Sequence, residues 1–289
     1  MELGTTFVPV EIGTVPPALF ACIGEQVTRF LEPALAGKMH IQVAARETSG
    51  VSPESWSMFA APTDDGFRLS GIKLVSRRPG PQDVLLTLAR APQGLTAFLI
   101  DAAQVTVNGQ VKGRLSFELK DHAVGRERIL GEVGGALKLG SEHAPRSWIL
   151  GGARYLGMVE RLLEMGAEHA RDWISMGAPL AVRPALRGML GDLRSEQEAA
   201  RWLVLHAAWC ADQAQPVKSE AAIVRLRTGE LLKSAVDRVT MAFGGPAPTS
   251  QIELRRMVHA MAPPEVLEFV LEQARALVAA DVMAAVGGR

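Results

Sequence analysis

Two different hydrophobic periods divide the sequence. Between about Lys38 and Arg128, short apolar runs alternate with turn residues roughly every ten residues, which is typical of an antiparallel β-sandwich or barrel. After Gly131, apolar residues recur at intervals of three and four, which is typical of one face of a helix. The pattern therefore predicts an α+β protein in which a β domain precedes an antiparallel helix bundle.

Turn and helix-end residues give approximate element bounds. Asp64-Asp65-Gly66 and Asn108-Gly109 lie between apolar runs and are typical of hairpin turns. Glycine and proline residues at the ends of the apolar stretches predict four helices in the bundle. Their expected bounds are about 149–177, 184–211, 216–244 and 263–286. We expect three parts, which are a helical piece with proline breaks (1–37), the β domain (38–130) and the bundle (131–289).

Composition narrows the class of partner. Lys and Arg together number 31, as do Asp and Glu, so the zero net charge argues against a nucleic-acid partner. No apolar run of about 18 residues predicts a membrane span, and the N-terminus lacks the basic start of a signal peptide. Two cysteines form no disulfide framework, and no metal-ligand motif occurs. We therefore expect a cytoplasmic protein without a bound metal.

Several segments occur in an order that resembles a known family. Its members share a Leu-Pro-x-Leu-Ala-x-Gly stretch, a Gly-x-Lys hairpin, a segment entering a bundle, a long first bundle helix and a Gly-Gly pair. The corresponding segments here are GEQVTRFLEPALAGK (24–38), DDGFRLSGIKLVSRR (64–78), ERILGEVGGAL (127–137), 151–180 and FGGPAP (243–248). Together they resemble the acyl-CoA dehydrogenases over nearly the whole chain.

The resemblance implies a fold and a reaction. It implies that residues 1–37 are the remnant of an N-terminal helical domain whose opening helices are missing. The family uses FAD to desaturate an acyl-CoA thioester between Cα and Cβ, with a carboxylate removing the α-proton. The chain is most similar to members that work as unlike-subunit pairs, such as those of bacterial steroid degradation.

The family's catalytic base has no counterpart at either of its usual positions. Alignment on Glu265-Val266 puts Met261 at the position after the Gly-Gly pair, and methionine cannot abstract a proton. The other position directly precedes an arginine early in the first bundle helix, and here Pro145 precedes Arg146. The nearest acids are Glu142 and Glu265, of which Glu265 is the weak alternative for a displaced base. A helix-start acid stabilised by the helix dipole accounts for Glu265 equally well.

The implied FAD positions are also altered. The aromatic-Ile-Thr that packs on the flavin becomes Val75-Ser76-Arg77, and a strand core accounts for Val75 as well. A pyrophosphate-binding arginine becomes Trp173, and a glutamine becomes Met241. Arg146 matches an arginine that contacts acyl-CoA. The remaining cofactor positions are Ser49, Gly50 and Ser52 of the flavin loop, and Gly244 and Gly245, which a helix C-cap explains as well.

Three functions stay open. The expected one is the base-lacking subunit of a hetero-oligomeric, FAD-dependent acyl-CoA dehydrogenase, with FAD held at an interface with a partner chain or lost. The alternatives are a self-sufficient flavoenzyme whose base is Glu265, or a non-enzymatic assembly subunit. Expected partners are acyl-CoA and a related subunit or a second copy. The last helix supports oligomerisation because its apolar residues cover more than one face.

Overall fold

The computed structural model describes residues 15–49, 55–75, 78–111, 114–244 and 264–287. The chain forms two compact units, Met1–Ser147 and Trp148–Arg289. A sheet dominates the first unit and long helices make up the second, so the predicted α+β fold class is confirmed. The finer division at residues 37 and 130 stays a prediction.

The first unit begins with short helical turns and continues into an eight-stranded sheet. A 3₁₀ helix spans Pro17–Ala21, and a π-helical turn at Val27–Leu31 runs directly into α1 (Glu32–Leu35). The sheet order is β6-β7-β3-β2-β4-β5-β8, with β1 paired to β4. The strands are β1 (Ile41–Ala44), β2 (Phe59–Pro62), β3 (Gly66–Val75), β4 (Val84–Ala91), β5 (Gly94–Asp101), β6 (Val107–Val111), β7 (Arg114–Gly125) and β8 (Ile129–Leu130).

Strand β4 is the buried centre of this sheet. Its residues Val84, Leu86 and Leu88 pack in one apolar cluster with Leu19 and Phe30 of the helical turns. Since successive side chains of a strand point to opposite faces, Leu85 and Ala89 of β4 pack in a second cluster on the other face. Burial on both faces explains why this strand is an almost unbroken apolar run.

Two expectations about the sheet need correction. The β1–β4 pair is parallel, from Ile41↔Val84 to Ala44↔Thr87, because the chain passes through β2 and β3 before it returns beside β1. The dipeptide Asn108-Gly109 is not a turn and lies inside β6, where the register against β7 shifts between Val107 and Gly109. A glycine in a strand favours such a bulge as readily as a turn. The expected turn at Asp64-Asp65-Gly66 does join β2 to β3.

Gly71 allows β3 to lie close to the segment before β2. Its φ of 144° is one that L side chains rarely adopt, and a Cβ there would lie 2.7 Å from the Cα of Met58. The register of β3 against β7 also shifts between Leu69 and Gly71. This close approach brings the middle of β3 next to the residues around Met58, where the site described below is found.

The last three long helices agree closely with the predicted bounds. The first begins earlier than expected because its apolar stripe extends back to Ala136, and Pro145 lies inside it. A two-strand hairpin follows, formed by β9 (Ile174–Ser175) and β10 (Ala178–Pro179). The long helices are α2 (Ala136–Asp172), α3 (Pro184–Asp212), α4 (Lys218–Phe243) and α5 (Pro264–Gly287).

Candidate functional site

A buried ion pair joins β3 to the loop that follows β1. The Nζ of Lys73 donates hydrogen bonds to Oε1 of Glu47 at 2.8 Å and to the carbonyl oxygen of Ala45 at 3.1 Å. The ammonium also lies 4.9 Å from the ring centroid of Trp56, a distance at which a cation is attracted to the ring face. Lys73 has no solvent exposure and Glu47 is 5% exposed, so both charges depend on these contacts.

Glu47 also closes the loop in which it lies. Its carboxylate accepts hydrogen bonds from the backbone N–H of Ser57 at 2.6 Å, the Ser57 hydroxyl at 2.8 Å and the backbone N–H of Met58 at 2.9 Å. The segment from Glu47 to Ser57 is therefore fastened at its two ends by one side chain. Ser49 of the predicted flavin loop is exposed within this segment, and Gly50 and Ser52 lie outside the described residues.

The environment moves both pKa values downward. Burial lowers the pKa of Lys73 to about 8, although the hydrogen bond and charge of Glu47 oppose this shift. Burial alone would raise the pKa of Glu47, but the charge and hydrogen bond of Lys73 and the backbone N–H groups of Ser57 and Met58 hold it below its usual value. The pair is therefore ionised at neutral pH.

Sequence reasoning did not identify this pair as a unit. The signal was present, because Lys73 interrupts the apolar residues of β3 and Glu47 is the one acid of the loop at Arg46–Pro53. Lys73 belongs to the segment 64–78 that resembles the family's hairpin, and Glu47 belongs to the segment that resembles its flavin loop. Their contact spans 26 positions and depends on the sheet register, which the hydrophobic pattern alone does not specify.

The β3 position expected to pack on a flavin is not a surface position. Val75 is 4% exposed and packs in the sheet cluster that contains Leu85, Phe98 and Phe117. Its side chain is therefore part of the hydrophobic core of the sheet. The neighbouring Ser76 and Arg77 lie outside the described residues.

The start of α2 presents an arginine without a neighbouring catalytic acid. Arg146 and Glu142 are both exposed, and Pro145 is buried in the helix between them. His143 is half-buried, and its pKa is lowered by burial and by the charge of Arg146, with Glu142 opposing. Met261 lies outside the described residues. Glu265 is in the first turn of α5, and its side chain is outside the described part.

The three described bundle positions that the resemblance relates to FAD are Trp173, Met241 and Gly244. Trp173 is 49% exposed, with its ring 5.4 Å from that of His169, and the 77% exposed Met241 offers no hydrogen-bond donor. Gly244 ends α4 as its C-cap, and its N–H bonds to the carbonyl oxygens of Thr240 and Met241. The interpretation of Gly244 as a C-cap therefore accounts for its N–H. Gly245 lies outside the described residues.

The FAD positions implied by the resemblance offer few donors among the described residues. Val75 is enclosed in the core, Trp173 and Met241 supply neither a cation nor an amide, and the N–H of Gly244 is already bonded. A dinucleotide pyrophosphate needs several donors of this kind at close range. A flavin bound by this chain would therefore need donors from other residues of the chain or from a partner chain.

The second unit contains another buried cation. Arg225 of α4 is 9% exposed, and its guanidinium carbon lies 5.4 Å from the ring centroid of Trp148. Its Nε is buried without a hydrogen-bond partner among the described residues. Burial lowers the pKa of Arg225 to about 10, with Tyr155 opposing, so the side chain is charged at neutral pH.

A groove of about 460 Å³ lies in the first unit, between the helical turns and the sheet. Ile23, Phe30, Ile129 and Val133 are its apolar lining residues, and its charged lining residues are of both signs.

In the described segments, no three His, Cys, Asp or Glu residues are grouped as metal ligands. None of the helices described has the length and apolar character needed to cross a bilayer.

The sequence of the second unit matches a known domain. A family model described as "Acyl-CoA dehydrogenase, C-terminal domain" matches residues 149–284, which cover most of α2 through α5. The match lies within the part of the chain where the helical period predicts the bundle.

Curated relatives extend the similarity into the first unit. The chain is 25% identical over 236 residues to the short-chain-specific acyl-CoA dehydrogenase of Megasphaera elsdenii, a match that covers 76% of this chain and 62% of the relative. It is 22% identical over 260 residues to the caffeyl-CoA reductase-Etf complex subunit CarC of Acetobacterium woodii, covering 83% and 68%. The chain thus spans less than two thirds of the first relative.

The fold has close counterparts among solved structures. The structure titled "FAD complex of PigA" superposes with a TM-score of 0.79 at 20% identity, covering 92% of this chain and 73% of that one. At this identity the likeness concerns the fold. It includes both the sheet and the helices, since it covers more of the chain than either unit.

Proposed function

We propose that the chain, whose second unit matches the C-terminal domain of acyl-CoA dehydrogenases, is the base-lacking subunit of a hetero-oligomeric, FAD-dependent enzyme that desaturates acyl-CoA thioesters. A related chain supplies the carboxylate that removes the α-proton. FAD lies at the interface of the two chains, and the acyl group is bulky, as in steroid-degrading members.

One observation carries this proposal. Pro145 occupies the position directly before the exposed Arg146, where some family members carry the base, and the nearest acid, Glu142, lies one turn away and is exposed. A thioester α-proton is very weakly acidic, so its removal needs a base within hydrogen-bond reach in a site shielded from water. An exposed carboxylate one turn away meets neither condition.

The chain retains features suited to a supporting role. Arg146 offers a fixed positive charge to the anionic groups of acyl-CoA. The Glu47–Lys73 pair fastens the ends of the loop that resembles the family's flavin loop, which would limit its motion at an interface. Trp173 and Met241 stand where the resemblance implies donors to FAD, and the loss of those donors favours a cofactor shared with a second chain. One relative is itself named as a subunit of a complex.

Helix α5 supplies a surface for the related chain. Leu271 and Ala274 are buried, whereas Val282 is 60% and Met283 73% exposed. The apolar residues near the end of the helix are therefore left exposed by its own unit. Exposed apolar surface of this kind favours a permanent partner.

The test is co-expression of the chain with a full-length relative that has an intact Glu-Gly motif. We expect the lone chain to lack stoichiometric FAD and to show no bleaching of flavin absorbance with acyl-CoAs under anaerobic conditions. We expect the co-purified complex to carry FAD and to bleach. Replacing the relative's catalytic glutamate by glutamine should abolish bleaching, whereas Glu265→Gln in this chain should not.

Two results would overturn the proposal and select an alternative. Bleaching by the lone chain that is lost in Glu265→Gln and kept in the control Glu272→Gln would identify a displaced base. Equal rates for the relative with and without this chain would leave only an assembly role. Glu272 is a suitable control because it is an exposed acid of the same helix that pairs with Arg275.

A further inference from the structure

Arg225 is a buried cation whose hydrogen-bond donors are not matched by acceptors. The residue lies in the first half of α4 and is 9% exposed. Its Nε is buried without a hydrogen-bond partner in the segments that the structure describes, and no carboxylate of those segments pairs with it. A guanidinium carries five N–H donors and no acceptor. Among the described residues, this cation therefore has neither a countercharge nor an acceptor for its Nε.

Helix α2 encloses the guanidinium with aromatic side chains. The ring centroid of Trp148 lies 5.4 Å from the guanidinium carbon, and the half-buried Tyr155 is close enough to act on the pKa of Arg225. Gly152 lies between these two aromatic residues in the sequence, and a Cβ on it would collide with Cγ1 of Val224. Helices α2 and α4 are therefore in close contact beside the cation, which keeps most of its surface away from water.

A contact with an aromatic ring offsets only part of the cost of burying a charge. The attraction of a cation to a tryptophan face is weaker than the penalty for removing an unpaired ion from water. An anionic acceptor offsets more, because a hydrogen bond between two ions is about twice as strong as one between neutral groups. The N–H groups of a guanidinium point outward in its plane, so such an acceptor binds at the edge of the group.

We infer that the guanidinium edge of Arg225 binds a small monovalent anion, of the carboxylate or halide class, which enters from solvent beside α2 and α4. The 9% exposure of Arg225 shows that solvent reaches part of the side chain. A monoanion neutralises the single buried charge, whereas a dianion would leave a net negative charge in the same place. The two parallel N–H bonds at the edge of a guanidinium match the two oxygens of a carboxylate.

Water is the competing occupant of such a site. A water molecule can accept hydrogen bonds from buried donors, but it leaves the positive charge of Arg225 uncompensated. Stability would then not depend on which anion is present. A bound anion instead stabilises the folded chain according to its concentration, because the unfolded chain has no such site. The two occupants therefore differ in a measurable quantity.

Urea denaturation in exchanged salts measures this dependence. Sodium acetate replaces sodium sulfate at constant ionic strength, so acetate is the monoanion tested. Above its dissociation constant, each tenfold increase in acetate should raise the folding equilibrium constant of the wild type about tenfold. Arg225→Met should not respond in this way. Arg227→Met should respond like the wild type, because Arg227 is an exposed arginine of the same helix that pairs with Glu230.

The order of stabilities should also reverse with acetate. Replacing an unpaired buried charge by an apolar side chain of similar length is often neutral or stabilising. Arg225→Met should therefore be at least as stable as the wild type in sulfate and less stable at high acetate. Equal acetate responses of the wild type, Arg225→Met and Arg227→Met would overturn the inference, as would a wild type that does not respond.

Bromide locates the anion directly in the wild type, and this measurement remains decisive if Arg225→Met does not fold. In crystals soaked in sodium bromide, we expect an anomalous peak within hydrogen-bond distance of the guanidinium nitrogens of Arg225, and we expect acetate to displace it. Absence of a peak at Arg225 would contradict the inference. A peak that acetate does not displace, or one without any stabilisation in solution, shows an adventitious ion only and also overturns it.

These outcomes are independent of the proposed enzymatic role. Stability and bromide binding are measured on the lone chain without FAD, acyl-CoA or a related chain. The chain can therefore lack flavin chemistry and still bind an anion at Arg225, or take part in the enzyme without binding one.

Discussion

The Nζ of Lys73 lies 2.8 Å from a carboxylate oxygen of Glu47, and neither side chain has more than slight solvent exposure. The same carboxylate holds the backbone N–H groups of Ser57 and Met58. One acid therefore connects β3, the loop after β1 and the segment before β2. The pair is a structural anchor for the loop that resembles the family's flavin loop.

Removing one member of this pair should be costly. Lys73→Met leaves the buried carboxylate of Glu47 without its countercharge, and we expect a loss of about 3–5 kcal/mol in the free energy of unfolding. Glu47→Gln/Lys73→Met should lose less than the sum of the two single variants, because it leaves no buried charge. Urea denaturation of the four proteins in the cycle measures the coupling. Additive losses would show that the two charges do not interact.

The pair should also make stability depend on pH. The pKa of Lys73 is about 8 in the folded chain and 10.5 ordinarily, so between these values the unfolded chain binds more protons. The contribution of Lys73 to the free energy of unfolding therefore rises from pH 8 to about 10.5. Glu47 has a lowered pKa, so its contribution is lost as the pH falls below 4.5.

This pH dependence needs a control because Cys22 acts in the opposite sense. Burial raises the pKa of Cys22 to about 11, so its contribution to stability falls above pH 9. The measured quantity is the difference in unfolding free energy between the wild type and Glu47→Gln/Lys73→Met across this range. A difference that stays constant from pH 7 to 10 would contradict the prediction.

The contact between α2 and α4 depends on a glycine. A Cβ on Gly152 would collide with Cγ1 of Val224, so Gly152→Ala should destabilise the chain by about 1–3 kcal/mol. Gly157 is exposed in the same helix, and a Cβ there would meet nothing within 4 Å. Gly157→Ala should therefore stabilise by about 0.5–1 kcal/mol through helix propensity alone. Thermal unfolding of both variants should give shifts of opposite sign.

Flavin affinity should increase when the lost donors are restored. Trp173 and Met241 are exposed, so Trp173→Arg/Met241→Gln can be introduced without disturbing the core. Each charge-assisted hydrogen bond contributes about 1.5–3 kcal/mol, which corresponds to at least a tenfold gain in FAD affinity. Val182→Arg adds the same charge at a nearby exposed position and should give no gain. FAD retention by the complex with a related chain measures the effect, and equal retention by all three proteins would count against it.

The sequence alone was sufficient for the secondary structure of the bundle. Helices α3, α4 and α5 begin and end within two residues of the expected positions, because glycine, proline and the helical period act locally. The resemblance also ordered the sheet and the helices correctly, since it rested on segments spread along the chain. The absence of a carboxylate next to Arg146 was likewise readable from the sequence.

Tertiary structure decided what depends on pairing between distant segments. The parallel β1–β4 pair and the register shift around Asn108-Gly109 follow from sheet register, which hydrophobic alternation does not specify. The Glu47–Lys73 contact arises for the same reason. Trp202, Leu205 and Trp209 appear in the sequence as ordinary apolar residues of a helix. Only the packing of α3, which buries Val204 and leaves these three in solvent, distinguishes an outer surface from a core.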